Sequence, residues 1–171
     1  QNILLILDEV QTGCGRIGRL FGYEYYGIEP DIITLGKGIG GGVPLSAFLA
    51  KEHCAVFTPG DHGSTYGGEP LTTRVGAAVM SYIIDNDIPG QVAKKGELVE
   101  RRLHSLQDRF PNVNAVRGKG LMWAVEFKGD IGERITNTAL KAGLILNNER
   151  PNAVRIVPPL TVTEEELEQG L

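Results

Sequence analysis

The chain opens on an unbroken apolar run, Ile3-Leu4-Leu5-Ile6-Leu7, closed by Asp8. A short run without alternation reads as a strand covered on both faces. Two further runs, Asp31 to Gly36 and Ser46 to Lys51, have the same character and are separated by glycine-rich turns, which predicts a mainly parallel sheet. From Pro70 the period changes. Val75, Ala78, Val79, Ile83 and Ile84 recur at helical spacing behind a proline suited to a first turn, predicting a helix that ends near Asn86-Asp87. Pro89-Gly90 marks a joint, and Leu98, Val99, Leu103, Leu106 and Phe110 then give Val92 to Phe110 an apolar stripe opposite charged positions. The remainder reads as a small α/β unit. Strands are expected at Val113–Val116 and Leu121–Phe127 around Gly118-Lys119-Gly120, a helix over Ile131–Ala142, and strands at Leu144–Leu146 and Val154–Val157. Thr163-Glu164-Glu165-Glu166 is a capping-box pattern that opens a last helix.

The architecture expected is therefore α/β in two parts, residues 1–88 and 89–171, with the long amphipathic helix leading the second part and bridging the two. The apolar opening run follows only Gln1-Asn2, and the chain stops soon after its last capping box, so it reads as a piece of a longer protein. No apolar run approaches the roughly 20 residues of a membrane span. Seventeen Lys and Arg against 21 Asp and Glu give a net charge of -4 without a basic stripe, which argues against a nucleic-acid surface. Cys14 and Cys54 form no CxxC pair, and the three histidines are scattered, so neither a disulfide framework nor a metal site is expected and a reduced cytoplasmic setting fits.

Glycine changes the picture. Of 23 glycines, 14 fall within residues 13–68, where something requires close backbone approach. Three candidate features lie in or beside that segment. Asp8 places a carboxylate at the carboxyl edge of a strand, where open α/β sheets bind ligands, although a lone strand-end Asp is more often a turn former or cap. Lys37 ends a second strand inside Leu35-Gly36-Lys37-Gly38-Ile39-Gly40-Gly41-Gly42. It is either a surface lysine in a flexible loop or a partly desolvated amine available as a nucleophile. His62-Gly63-Ser64-Thr65-Tyr66-Gly67-Gly68 supplies hydroxyls and backbone amides without bulk, as a phosphate needs. Together, an acid for a ring nitrogen, an amine for an aldehyde and donors for a phosphate point to pyridoxal 5'-phosphate.

The stretches Asp8-Glu9-Val10-Gln11-Thr12-Gly13-Cys14-Gly15-Arg16, Tyr26 to Pro44, and Gly63-Ser64-Thr65-Tyr66-Gly67-Gly68 resemble the signature of the class III pyridoxal-phosphate aminotransferases. Val154-Arg155-Ile156-Val157-Pro158-Pro159-Leu160 extends the resemblance to the far end of the chain. It implies the fold type I architecture of pyridoxal-phosphate transferases. Residues 1–88 would be part of the large cofactor-binding domain and 89–171 the small C-terminal domain. It also implies that Lys37 is the Schiff-base lysine, Asp8 the partner of the pyridine nitrogen, Val10 the contact on the ring face and Gln11 a hydrogen-bond partner near the ring hydroxyl. Thr65 would bind the phosphate across a homodimer interface, Ser64 would lie beside the substrate, and Arg155 would hold a carboxylate.

By the same resemblance the reaction would move an amino group from an ω-amino donor, such as the N-acetylornithine of arginine biosynthesis, to 2-oxoglutarate. Ornithine, 4-aminobutyrate or a diamine are alternative donors, and a truncated, non-catalytic paralogue serving in dimerisation is a different kind of alternative. Two positions depart from the family pattern: Glu69, where asparagine is common, and Ile17, where threonine is usual. The family's further phosphate-binding loop and ring-stacking aromatic lie upstream of the signature, so this chain alone would form an incomplete site.

Overall fold

The computed structural model describes residues 3–171, which divide into two compact units. One comprises the residues up to Gly15 together with Arg19–Pro89, the other Arg16–Gly18 together with Gly90–Leu171.

The first unit is built on a three-stranded sheet, β1 (Ile6–Asp8), β2 (Ile32–Leu35) and β3 (Ala47–Ala50), in that spatial order. The β1–β2 pair is parallel as the sequence predicts, whereas β3 returns antiparallel. The expected strand from Ile3 to Asp8, covered on both faces, is not what forms. The regular strand begins at Ile6, and Ile3, Leu4 and Ile6 are 75%, 51% and 57% exposed. The ladder starts late because the amides of Asp31 and Ile32 both turn to the Leu5 carbonyl; among the described residues β1 is an outer strand of this sheet. Ile33 and Leu35, on the inner face of the central strand, are buried. Helix α1 (Pro70–Asp85) starts where Pro70 takes the first helical position and Glu69 caps it, its carboxylate accepting from the amides of Leu71 (3.0 Å) and Thr72 (2.8 Å).

Helix α2 (Ile88–Arg109) begins earlier than the sequence predicts, because Pro89 falls in its first turn, where no amide is needed. In the second unit, Val92, Val99 and Leu103 on one face of this helix are completely or almost completely buried. Four strands follow, β4 (Val113–Lys119), β5 (Met122–Phe127), β6 (Asn147–Arg150) and β7 (Ala153–Ile156), in the antiparallel order β4-β5-β7-β6. Helix α3 (Gly132–Lys141) links β5 to β6, and α4 (Glu164–Gly170) opens on the expected capping box at Thr163. Strand β5 alternates, with Trp123 and Val125 inward. A Cβ at Gly96 of α2 would stand 2.7 Å from the Gly120 Cα, so only glycines let the helix lie on the β4–β5 turn. The strand expected at Leu144–Leu146 is displaced to Asn147–Arg150. The amides of Gly143 and Leu144 bond back to the carbonyls of Leu140 and Ala139, and this closure of α3 leaves Leu144 unable to join a ladder.

Candidate active site

In the first unit, Asp8 ends β1 directly opposite Thr34 of β2. Its Oδ1 accepts from the Val10 amide at 3.0 Å and from the Thr34 hydroxyl at 3.1 Å. These bonds, the Val10 amide first and then the Thr34 hydroxyl, with the positive charge of Lys37 adding to them, hold the exposed carboxyl below the usual carboxylate range. Asp8 is thus ionised at neutral pH and points out at the carboxyl end of a parallel strand pair.

Lys37 follows β2 and begins a single 3-10 turn, Lys37–Gly40. Its φ of 46° lies in the left-handed region, unusual for a residue with a side chain and costing on the order of 1 kcal/mol or more. The turn sustains it through bonds from Ile39 N to Gly36 O (3.2 Å) and Gly41 N to Gly38 O (3.2 Å). Partial desolvation of Lys37 is not found in this structure: the side chain is exposed. Val10 packs against Gly36, where a Cβ would come within 3.4 Å of it, so the valine sits between the strand ends that carry Asp8 and Lys37. Gln11 is exposed in the turn just beyond. Asp8, Val10, Gln11 and Lys37 are therefore gathered at one sheet edge. Ser64 and Thr65 occupy a separate stretch, exposed throughout from Ala55 to Gly68.

Arg155 belongs to the second unit, on β7, where its Nη1 lies 3.2 Å from Glu149 Oε2. It is one-quarter exposed and borders an apolar groove of about 830 Å³ lined by residues such as Phe110, Ile135, Ile156 and Leu167.

Three supporting groups escape a reading of the sequence alone. Glu9 turns inward as Asp8 turns outward, is 4% exposed, and accepts from the amides of Gly22 and Tyr23 (both 2.9 Å) and from the Thr12 hydroxyl. A Cβ at Gly22 would stand 2.9 Å from Glu9 Oε2, which explains that glycine. In the second unit, Arg16 Nη1 donates to the carbonyls of Leu121 (3.1 Å) and Pro158 (2.6 Å), and Lys95 Nζ to that of Leu160 (3.2 Å). These two cations fix the segment that leaves β7 just after Arg155. Burial pulls the Arg16 guanidinium below its ordinary value. The alternation of side chains along β1 could have flagged Glu9; nothing local signals Arg16 or Lys95.

The profile of the family described as aminotransferase class III matches residues 1–171. The chain belongs to that family. It is 49% identical, over 99% of its length, to the acetylornithine aminotransferase of Caldanaerobacter subterraneus subsp. tengcongensis, and covers 43% of that protein. An ornithine δ-aminotransferase structure from Plasmodium falciparum superposes with a TM-score of 0.93 at 39% identity, over 98% of this chain and 45% of that one. The acetylornithine aminotransferase structure from Elizabethkingia anophelis gives the same TM-score at 35% identity, over 99% of this chain and 44% of that one. The chain thus spans less than half the length of these relatives.

Class III aminotransferases depend on pyridoxal phosphate. The donor set at the sheet edge fits that cofactor: an ionised carboxylate for the pyridine nitrogen, an accessible primary amine for the aldehyde, and an apolar side chain between them. Glu69, one of the two departures from the family pattern, is accounted for as the α1 cap.

Proposed function

We propose that this chain supplies the lysine-bearing part of an aminotransferase that moves an amino group from an ω-amino donor such as N-acetylornithine to 2-oxoglutarate. The observation that carries the reading is the placement of an ionised Asp8 and an exposed Lys37 at adjacent strand ends, with Val10 between them. When bound, pyridoxal phosphate supplies an aldehyde that takes up amines and a ring that draws electrons from the neighbouring carbon.

The chain's own residues do the rest. Asp8 keeps a proton on the ring nitrogen, Val10 covers a ring face, and Gln11 bonds near the ring hydroxyl. Lys37 Nζ holds the cofactor and, when released, moves the proton on and off the amine-bearing carbon. Thr65 donates to the phosphate across a homodimer interface and Ser64 lies beside the substrate. Arg155 grips a substrate carboxylate with its planar fork once that carboxylate takes the place of Glu149. The donor leaves as an aldehyde and 2-oxoglutarate as glutamate, so the two half-reactions balance. The setting is the cytoplasm and the pathway arginine biosynthesis. The similarity to ornithine aminotransferases supports a second reading in which ornithine itself is the donor.

The test uses a polypeptide of the relatives' full length that contains this chain. Borohydride trapping followed by peptide mapping should find the cofactor on Lys37; a different lysine sinks the assignment. Asp8→Asn should keep part of the cofactor binding but lower turnover by roughly two orders of magnitude, the scale of one preorganised charge contact. Normal turnover would make Asp8 a turn residue only.

A further inference from the structure

At the opposite end of β2 from Lys37, three side chains of different chemistry converge. Asp31 immediately precedes β2, and β3 pairs with β2 so that the Lys51 amide bonds to the Asp31 carbonyl at 2.9 Å. One 3-10 turn, Glu52–Cys54, then folds the chain back, held by the Cys54 amide on the Lys51 carbonyl at 2.8 Å. The backbone thereby returns His53 and Cys54 to Asp31. The carboxylate oxygen, imidazole nitrogen and thiol sulfur all lie within 4.8 Å of one another.

We infer that Asp31, His53 and Cys54 form a binding site for a borderline-soft divalent cation of the Zn2+ kind. Tetrahedral zinc with bonds of about 2.0–2.3 Å requires ligand atoms roughly 3.3–3.8 Å apart. His53 Nε2 is 3.1 Å from Asp31 Oδ1, so closure needs only a small opening of that pair and an approach of Cys54. The carboxylate is already oriented, because its Oδ2 accepts from the Leu5 amide at 2.8 Å while Oδ1 faces the histidine. The nearest competitor is Lys51, 4.0 Å from Asp31 Oδ1 but closer, at 3.3 Å, to Glu29. It keeps Glu29 as partner when a cation takes Asp31. Mixed oxygen, nitrogen and sulfur ligands disfavour Mg2+ and Ca2+, which require oxygen shells, and three protein ligands leave a fourth position to water. Spacing along the chain hid this cluster, since Asp31 is remote in sequence and only the β2–β3 register brings it to His53.

The thiols make the test selective, because Cys14 is 5% exposed whereas Cys54 is half-buried. With Zn2+ as probe, equilibrium dialysis of the intact protein should show one bound ion that is absent in His53→Ala and in Cys54→Ser, or at least about tenfold weaker. His53 is mostly exposed, so its replacement leaves the fold intact. Zn2+ should also slow the reaction of Cys54 with a thiol reagent in the parent protein, a chelator should restore it, and His53→Ala should abolish the protection. Equal Zn2+ binding by the parent and both variants, or a Cys54 reactivity indifferent to saturating Zn2+, would overturn the site.

Discussion

The two units solve the problem of order differently. The second is held by packing: Val92, Val99, Leu103, Leu121, Trp123 and Val154 are each at most 3% exposed, gathered from α2, the β4–β5 turn and the antiparallel sheet. The first buries fewer large side chains and exposes Ile3, Ile6, Phe48, Phe57 and Tyr66 by more than half. Its precision comes instead from carboxylates that accept backbone amides: Asp8 from Val10, Glu9 from Gly22 and Tyr23, Asp31 from Leu5, Asp61 from Thr58, Glu69 from Leu71 and Thr72. The unit that holds Asp8 and Lys37 is thus set by directional polar contacts, which place a ligand-facing atom without requiring it to be buried. The lesson is that a site of this kind is organised locally, turn by turn, while the packed unit is organised by long-range burial.

The largest effect that would test this contrast is in the packed unit. Leu103 is 1% exposed, and Leu103→Ala should cost about 2–5 kcal/mol by lost burial and the cavity left behind. Hydrogen exchange should accelerate across β4, β5 and β7 while the amides of β1 and β2 change little. Loss of protection spread evenly over both units would erase the distinction.

The next tests the polar side. Glu9→Ala strips the acceptor from the amides of Gly22 and Tyr23, and a buried amide without a partner costs about 1–3 kcal/mol. Exchange should quicken first at those two amides. Glu9→Gln, which keeps one acceptor oxygen, should fall between. If Glu9→Ala proves harmless, directional contacts are not what order the first unit.

How far these features are legible in the sequence follows from the same contrast. Asp8 and Lys37 stand at the ends of apolar runs flanked by glycine, so their strand-end positions can be read directly, as can α1 behind Pro70 and the stripe of α2. Thr34 as partner of Asp8, and the Asp31–His53–Cys54 convergence, depend on strand register, which no local pattern encodes. The run Ile3 to Asp8 reads as one strand, yet the regular ladder begins only at Ile6, because the Leu5 carbonyl takes the amides of both Asp31 and Ile32, a pairing no local pattern encodes. The shift of β6 has a similar origin, because the amides that close α3 take Leu144 away from the sheet. Arg16 and Lys95 act through carbonyls far along the chain, and a lone cation in a sequence carries no mark of such a partner.

The smallest expected effect is also the most pointed. Glu69 caps α1 with a carboxylate that the amides of Leu71 and Thr72 hold below its ordinary value of 4.5. A carboxyl whose value is depressed on folding stabilises the folded state above the unfolded value and loses that contribution as pH falls through the depressed one. Near pH 7 the parent protein should therefore melt above Glu69→Gln, whose amide is uncharged and holds the helix start less well. As pH falls below about 4.5 the difference should shrink, vanishing once the parent's carboxyl is protonated, because glutamine does not titrate. Thermal melts of both proteins across that range read the difference directly, with α1 the element whose amides lose protection. A gap that stays constant with pH would mean that Glu69 acts through its shape alone, and that the charge of at least this carboxylate adds nothing to the order of the first unit.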